Sequence, residues 1–465
     1  MLDFSEFSTW SFMFLFAALL GSLLFANLLK KIIPALKKSL IPSSVLGGLV
    51  LLIIAEVFRL ITKRDLFNET VFGGNGYKVL EIVTYHCLAL GFIASSFKTS
   101  ENKMNKKRAR EIFNSGVTTV STYILQGVFG LAITIVAALV IPGFFKASGI
   151  ILPFGYGQGT GQAMNYGSMY QQDYGFTGGT NFGLTIAALG FLSASIGGVI
   201  HLNILRRRGK VKGASDLAEK LSGDDVQRPN EIPMQESVDK LTVQIAYIAL
   251  AYILSYFMMF GLSKLLPGMT NTIFGFNFLI GVLSAVLIKS VLNFFNRKKI
   301  FKRTQLNNFL MTRIGNVFYD IMVVSGIAAI RLSLLQDYWG IVLILGAVGL
   351  VITYIYNRIV AKTLFPEYKE EQFLAMYGML TGTASTGIIL LREIDSEFKT
   401  PASDNLVFQT LPAIVFGFPI MLLATLAPLQ PELTLGILVA FFIVMNIILF
   451  RNKIFRKKSK LSDSI

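Results

Sequence analysis

Apolar residues along this chain come in long runs separated by short polar stretches. Runs of about 18 to 25 residues have the length an α-helix needs to cross the hydrocarbon core of a bilayer. Such runs fall near 10–29, 43–61, 79–97, 115–142, 182–205, 240–266, 273–296, 305–330, 338–357, 404–427 and 433–450, and each is read as a membrane-spanning helix. Two further stretches, Ile151 to Tyr174 and Phe373 to Ile394, are interrupted by glycines and small polar residues. Each lies between loops assigned to the same side of the membrane, so both are read as re-entrant segments. Non-helical backbone at that depth requires protein or water to satisfy its polar groups.

Composition agrees with this pattern. Of 465 residues, 53% are hydrophobic and 15% charged, and the mean hydropathy is +0.60, a balance that belongs in a bilayer. The first run ends in Lys30 and Lys31 rather than in a small-residue cleavage site, so it reads as a span and not as a removable signal. The formal charge of +16 lies in the short loops, with no basic, aromatic-interleaved soluble module, and no nucleic-acid partner is expected. One cysteine (Cys87) and two histidines (His86 and His201) exclude an intramolecular disulfide and argue against a zinc or haem centre.

The basic residues also orient the chain, because Lys and Arg are retained on the cytoplasmic side. Taking the eleven spans in order, one side collects 32 bases, in the segments Lys30 to Lys38, Lys98 to Arg110, Arg206 to Lys240, Arg297 to Arg303, Arg358 to Lys369 and Arg451 to Lys460. The other side holds 6, namely Lys63, Arg64, Lys78, Lys146, Lys264 and Arg331, with Arg392 and Lys399 assigned to neither side. The N-terminus is therefore expected outside and the C-terminus in the cytoplasm.

The same order of elements occurs twice. Residues 1–205 supply four spans, a re-entrant segment (151–174) and a fifth span. After a polar cytoplasmic linker (206–239), residues 240–427 repeat that order from the opposite side, with the re-entrant segment at 373–394. The expected fold is an all-α polytopic membrane protein made of two inverted-topology repeats of five spans each. Residues 428–465 add one extra span and a basic tail. A Tyr-Gly-x-x-Thr-Gly hexapeptide occupies the matching place in each half, at Tyr156 to Gly161 and Tyr377 to Gly382, 221 positions apart. Broken helices at corresponding places of an inverted repeat point to the binding site of a secondary transporter.

Glycine frees the backbone to expose amide N–H groups to a carboxylate, while released carbonyls and hydroxyls suit a desolvated Na⁺. The first segment offers Gly157, Gln158, Gly159, Thr160, Gly161, Gln162 and Asn165; the second offers Thr381, Gly382, Thr383, Ser385, Thr386 and Gly387. The alternative is that these glycines only permit close helix packing. Asp320 and, one turn before it, Asn316 lie within the eighth run, where a carboxylate usually faces a cavity or a cation. Asp320 either ligates a coupling ion or forms a structural ion pair with Arg313, about two turns away, or with another basic residue. Na⁺ is expected among Thr160, Thr381 and Asp320. No Gly-x-x-x-x-Gly-Lys-Ser/Thr loop and no nucleophile–base pair within the spans is present, so neither an ATPase, an enzyme nor an organic cofactor is expected.

The segment Gly155-Tyr156-Gly157-Gln158-Gly159-Thr160-Gly161-Gln162-Ala163, followed by Tyr174-Gly175-Phe176-Thr177 and a span ending Gly197-Gly198, resembles the bacterial sodium/glutamate symporter family. Ile41 to Leu49 looks like that family's approach to its second span, and the likeness extends over roughly 10–428. The resemblance implies Na⁺-coupled uptake of L-glutamate or a related acidic amino acid by alternating access, in a homodimer of the bacterial plasma membrane surrounded by lipid. It also implies two five-span repeats with paired re-entrant loops. Gln158 stands where that family's loop typically carries a histidine, so another small carboxylate stays open as the substrate. A re-entrant-loop ion channel is the alternative of a different class. Filters of that kind usually come from several loops surrounding one axis, whereas an antiparallel pair suits a gated site.

Overall fold

In the computed structural model of the protein, which describes residues 4–98, 105–209, 231–234, 237–301, 303–335, 338–395 and 399–462, every expected apolar run is helical. The chain divides into two compact units that cut across the two sequence halves. Most of the expected linker, residues 210–230, lies outside the described residues.

The first unit takes three helices from the first half and four from the second. From the first come α1 (Phe7–Ile32, except its last turn), α3 (Ser43–Thr62) and α4 (Gly76–Phe97). From the second come α9 (Lys240–Leu265), α10 (Thr270–Gly275), α11 (Asn277–Arg297) and α12 (Asn308–Ala328). Helix α4 is its centre, packing on α9, α11 and α12, while α3 packs on α12. Ile93, Ala94 and Phe97 of α4 share a core with Ile248, Ala251, Ala285 and Met311. Small residues set the spacing: a Cβ on Gly48 would lie 2.7 Å from Ile327 Cβ, and one on Gly91 would lie 2.7 Å from the Tyr319 ring. At the start of α9 the buried Lys240 ammonium pairs with Glu231 at 2.8 Å, and Asn307 donates to the same carboxylate at 2.6 Å. The chain leading into α9 is thereby tied to the loop before α12.

The second unit holds everything that surrounds the two broken stretches. It contains α2 (Pro34–Lys38), α5 (Lys106–Val140), α6 (Ile151–Gln158), α7 (Thr160–Tyr174) and α8 (Gly179–Arg207). It continues with α13 (Trp339–Leu364), α14 (Lys369–Thr381), α15 (Ala384–Arg392), α16 (Ala402–Phe408), α17 (Thr410–Leu426) and α18 (Pro431–Ser462). Helix α5 packs on α6, α13, α17 and α18, and α8 packs on α6, α7, α13 and α14.

Among the described residues nine helices are long and apolar enough to cross a membrane, or ten if the bent pair α16–α17 forms one span. These ten and α12 account for the eleven expected runs. Helix α12 is helical over its expected range, yet Arg313, Asn316 and Asp320 lower its apolarity below that of the other spans. The seventh run is also divided, with α10 ending and α11 starting on either side of Phe276.

Candidate functional site

Both glycine-rich stretches are helical hairpins, and their breaks are set by which residue first permits a non-helical backbone. In the first, α6 stops at Gln158 and α7 starts at Thr160, with Gly159 between them at φ +84°. That positive φ is open to glycine and disfavoured for other residues. The arms then lie side by side, the rings of Phe154 and Tyr166 stacking at 4.1 Å. In the second hexapeptide Leu380 occupies the place of Gly159, so α14 continues through Thr381 and the break moves to Gly382. The arms return in close contact: a Cβ on Gly387 would lie 2.4 Å from the Ala375 carbonyl oxygen.

This shift changes which residues correspond. The hexapeptides are 221 positions apart, but the breaks at Gly159-Thr160 and Gly382-Thr383 are 223 apart. Thr160 and Thr383, not Thr160 and Thr381, flank the breaks. Thr383 caps α15, its hydroxyl accepting from the Thr386 amide at 3.4 Å, and it lies 3.3 Å from the Thr386 hydroxyl. Thr381 is fully buried and its hydroxyl donates to the Tyr377 carbonyl at 2.7 Å.

The two hairpins meet on α8. Helices α6 and α14 pack on each other as well as on α8. The meeting point is Gly190, where a Cβ would lie 2.6 Å from the Thr381 carbonyl oxygen and 3.2 Å from Tyr156 Cα. One helical turn further on, the Tyr156 hydroxyl lies 2.9 Å from Ser193 Oγ and donates to the Gly346 carbonyl of α13 at 2.6 Å. The Tyr377 hydroxyl donates to the Ser193 carbonyl at 2.8 Å. A third tyrosine, Tyr123 of α5, donates to the Gly157 carbonyl at 3.0 Å and leaves no room for a larger residue there, since a Cβ would lie 1.9 Å from its ring.

The outer arms are anchored too. Tyr166 of α7 donates to the Met421 carbonyl of α17 at 3.0 Å. At the first turn of α14, Glu370 accepts from Arg358 of α13 through both guanidinium nitrogens and lies 3.0 Å from His201 Nε2 of α8. His201 Nδ1 is in turn 2.8 Å from the Tyr354 hydroxyl. Burial pushes the Glu370 carboxyl up, but the hydrogen bonds from Arg358 and His201 and their charges outweigh it and bring it down to about 2.

Of the residues expected at the site, the structure gathers Gly157, Gln158, Gly159, Thr160, Gly161, Asn165, Thr381, Gly382, Thr383, Ser385 and Thr386 in the two hairpins of one unit. Gln158, Asn165, Thr383 and Ser385 are partly accessible, whereas Thr160, Thr381 and Thr386 are buried. Asn316 and Asp320 belong to the other unit, on an exposed face of α12. Asp320 makes no ion pair with Arg313 among the described residues. The Arg313 guanidinium lies over the Phe309 ring, 5.1 Å from its centre, and Ser44 of α3 is the group that interacts with the Asp320 carboxyl.

Sequence reasoning missed a polar seam between α5 and α13. Gln126 donates to the Thr353 hydroxyl at 2.8 Å and to the Leu380 carbonyl, two residues before the second break, at 3.0 Å. Asn357 donates to the Thr353 carbonyl at 3.0 Å and to the Thr122 hydroxyl at 3.4 Å. The signal was present in the sequence: amides in otherwise apolar spans need partners.

A family model described as sodium/glutamate symporter matches residues 8–399. The chain belongs to the sodium/glutamate symporter family. Membership makes it a multi-pass membrane protein of a transporter family, and the family supports Na⁺-coupled transport with a small carboxylate as cargo. The match spans both hairpins and both units, but it ends before α16, so the bent pair lies beyond it although the expected likeness ran to about 428; α18 lies outside both ranges. Neither a curated protein nor a solved structure matches the chain.

Proposed function

We propose that the protein carries L-glutamate or a closely related acidic amino acid inward with Na⁺, and that the paired hairpins are its binding site. The observation that carries this reading is the meeting of the two first arms, at Tyr156 and Thr381, three residues and one residue before the breaks at Gly159 and Gly382, against one glycine of α8. Each break presents two complementary surfaces. The first turns of α7 and α15 direct amide N–H groups and the positive end of a helix dipole toward the tip, which favours a carboxylate. The last turns of α6 and α14 supply carbonyl oxygens, which favour Na⁺.

Two details support the assignment of the carboxylate to the first hairpin. Gln162, in the first turn of α7, is 1% exposed, and its Nε2 has no hydrogen-bond partner among the described residues. A buried unpaired donor is costly and calls for an acceptor. Gln158, at the end of α6 and partly accessible, offers a second neutral amide.

In this reading the two repeats are inverted, the hairpins are re-entrant from opposite faces, and the hairpin-bearing unit moves to give alternating access. The other unit forms the scaffold of a homodimer in the bacterial inner membrane. The 32-to-6 asymmetry of bases supports an external N-terminus and a cytoplasmic C-terminus. Asn316 and Asp320, on the scaffold unit, form a separate candidate for ion contact.

The reading is tested by uptake of labelled L-glutamate into proteoliposomes holding the purified protein. Saturable uptake that disappears when Na⁺ is replaced by K⁺ or choline supports it, and competition by aspartate, glutamine, citrate and malate ranks the carboxylates. Substrate-independent ion conductance would overturn it in favour of a channel.

A further inference from the structure

The seam between α5 and α13 has more hydrogen-bond acceptors than donors. Gln126 and Asn357 are 0% and 2% exposed. Both N–H groups of the Gln126 amide are directed at oxygens, Thr353 Oγ1 and the Leu380 carbonyl. The Asn357 amide points its N–H groups at the Thr353 carbonyl and Thr122 Oγ1. The Thr122 hydroxyl proton is committed to the Thr118 carbonyl at 2.8 Å. Gln126 Oε1 and Asn357 Oδ1 are left without a hydrogen-bond partner among the described residues. Turning the Gln126 amide over would aim its oxygen at the Leu380 carbonyl, and turning the Asn357 amide over would aim its oxygen at the Thr353 carbonyl, neither of which can donate, so the carbonyls fix both amides with their oxygens unpaired.

Such a surplus of buried oxygen is stable only with something electropositive beside it. The available oxygens are all uncharged: two side-chain amides, two threonine hydroxyls and the Leu380 carbonyl. Divalent ions recruit carboxylates, and none of these groups is one. A small monovalent cation needs oxygen dipoles alone, as carbonyl-lined ion sites show.

We propose that the Thr122–Gln126 and Thr353–Asn357 seam is a Na⁺ site, with Gln126 Oε1 and Asn357 Oδ1 as its side-chain ligands. The proposal rests on the Na⁺-coupled reading and deepens it, because no role in ion binding follows for these residues from the hairpin sequences. Its consequence is a direct link between ion and hairpin. Gln126 holds the Leu380 carbonyl just before the Gly382 break, so a cation drawn to Gln126 stiffens the first arm of the second hairpin.

The test is thermal unfolding of the full-length protein in detergent, without substrate, as NaCl replaces choline chloride at constant ionic strength. Wild type is expected to be stabilised by Na⁺. Asn357→Ala should raise the half-saturating Na⁺ concentration about tenfold, the size of one lost polar ligand. Asn357→Asp, nearly isosteric and negatively charged, should lower it, a gain that mere loss of packing cannot produce and that carries the test if the alanine variant does not fold. A Na⁺ dependence that is unchanged in the folded variants overturns the proposal, the seam then holding a buried water, while leaving the Na⁺-coupled reading in place. A wild type that shows neither Na⁺ stabilisation nor Na⁺-dependent uptake overturns both.

Discussion

The hydroxyls of Tyr156 and Tyr377, the first residues of the two repeated hexapeptides, converge on Ser193. Tyr156 reaches its Oγ at 2.9 Å, and Tyr377 donates to its carbonyl at 2.8 Å. Because one residue of α8 bonds to both, the hairpins share a common fixed point. Tyr377→Phe removes one buried hydrogen bond and Tyr156→Phe two, to Ser193 and to the Gly346 carbonyl, each worth about 1 kcal/mol. The two losses should be non-additive, because the partners meet at one residue. Thermal unfolding of the single and double variants checks this; strictly additive shifts would mean that the two contacts act independently.

At Gly190 both hairpins press against α8. A Cβ there would lie 2.6 Å from the Thr381 carbonyl oxygen, a backbone atom that cannot swing aside. Gly190→Ala should cost about 1 to 3 kcal/mol, as overpacking does, and should reduce uptake more than membrane abundance. Normal uptake kinetics in this variant would show that the hairpin tips tolerate separation.

Glu370 links α14 to α8 and α13, and its carboxyl is held down to about 2 from the ordinary 4.5. A carboxyl depressed in the folded state adds stability above its unfolded value and loses it as pH falls through the folded value. Between pH 8 and 5 the contribution should stay constant; it should decline from about 4.5 toward 2. Glu370→Gln should lower the melting temperature at neutral pH and flatten the acid limb, read by unfolding in detergent across that range. A wild-type acid limb unchanged by the substitution would remove Glu370 from the account of this anchor.

Asp320 has no ion-pair partner in Arg313 and is accessible on its helix. Asp320→Asn keeps the shape and removes the charge. Under the ion-ligand reading the Na⁺ concentration for half-maximal uptake should rise severalfold with little change in substrate KM. No change in Na⁺ dependence would leave this carboxyl without a part in coupling.

The helices were legible in the sequence because a bilayer enforces both length and apolarity, and even the polar α12 was found through the apolar residues around Asp320. The glycine-rich hairpins were legible for the opposite reason, since Gly159 and Gly382 interrupt those patterns. The correspondence between hairpins was only partly legible. The strings Tyr156 to Gly161 and Tyr377 to Gly382 align by letter, but Leu380 continues a helix where Gly159 ends one. Pairing between distant helices was hidden altogether. Nothing in the spacing of Gln126 and Asn357 foretold that α5 would face α13, and the division into two units draws helices from both halves.

The most direct test of the hairpin site is Na⁺-dependent glutamate uptake by Thr160→Val and Thr383→Val, the two residues that flank the breaks, with Thr381→Val as comparison. Valine keeps the shape of threonine and removes the hydroxyl. At Thr383 it also removes a helix cap worth about 1 kcal/mol. Thr160→Val and Thr383→Val should raise the half-saturating concentration of Na⁺ or glutamate about tenfold, the cost of one polar contact to a charged ligand. Thr381→Val, whose hydroxyl is already committed to the Tyr377 carbonyl, should change it less, and membrane abundance should be preserved in all three. Unaltered uptake kinetics in both Thr160→Val and Thr383→Val would contradict the claim that the hairpin tips bind the ion and the carboxylate.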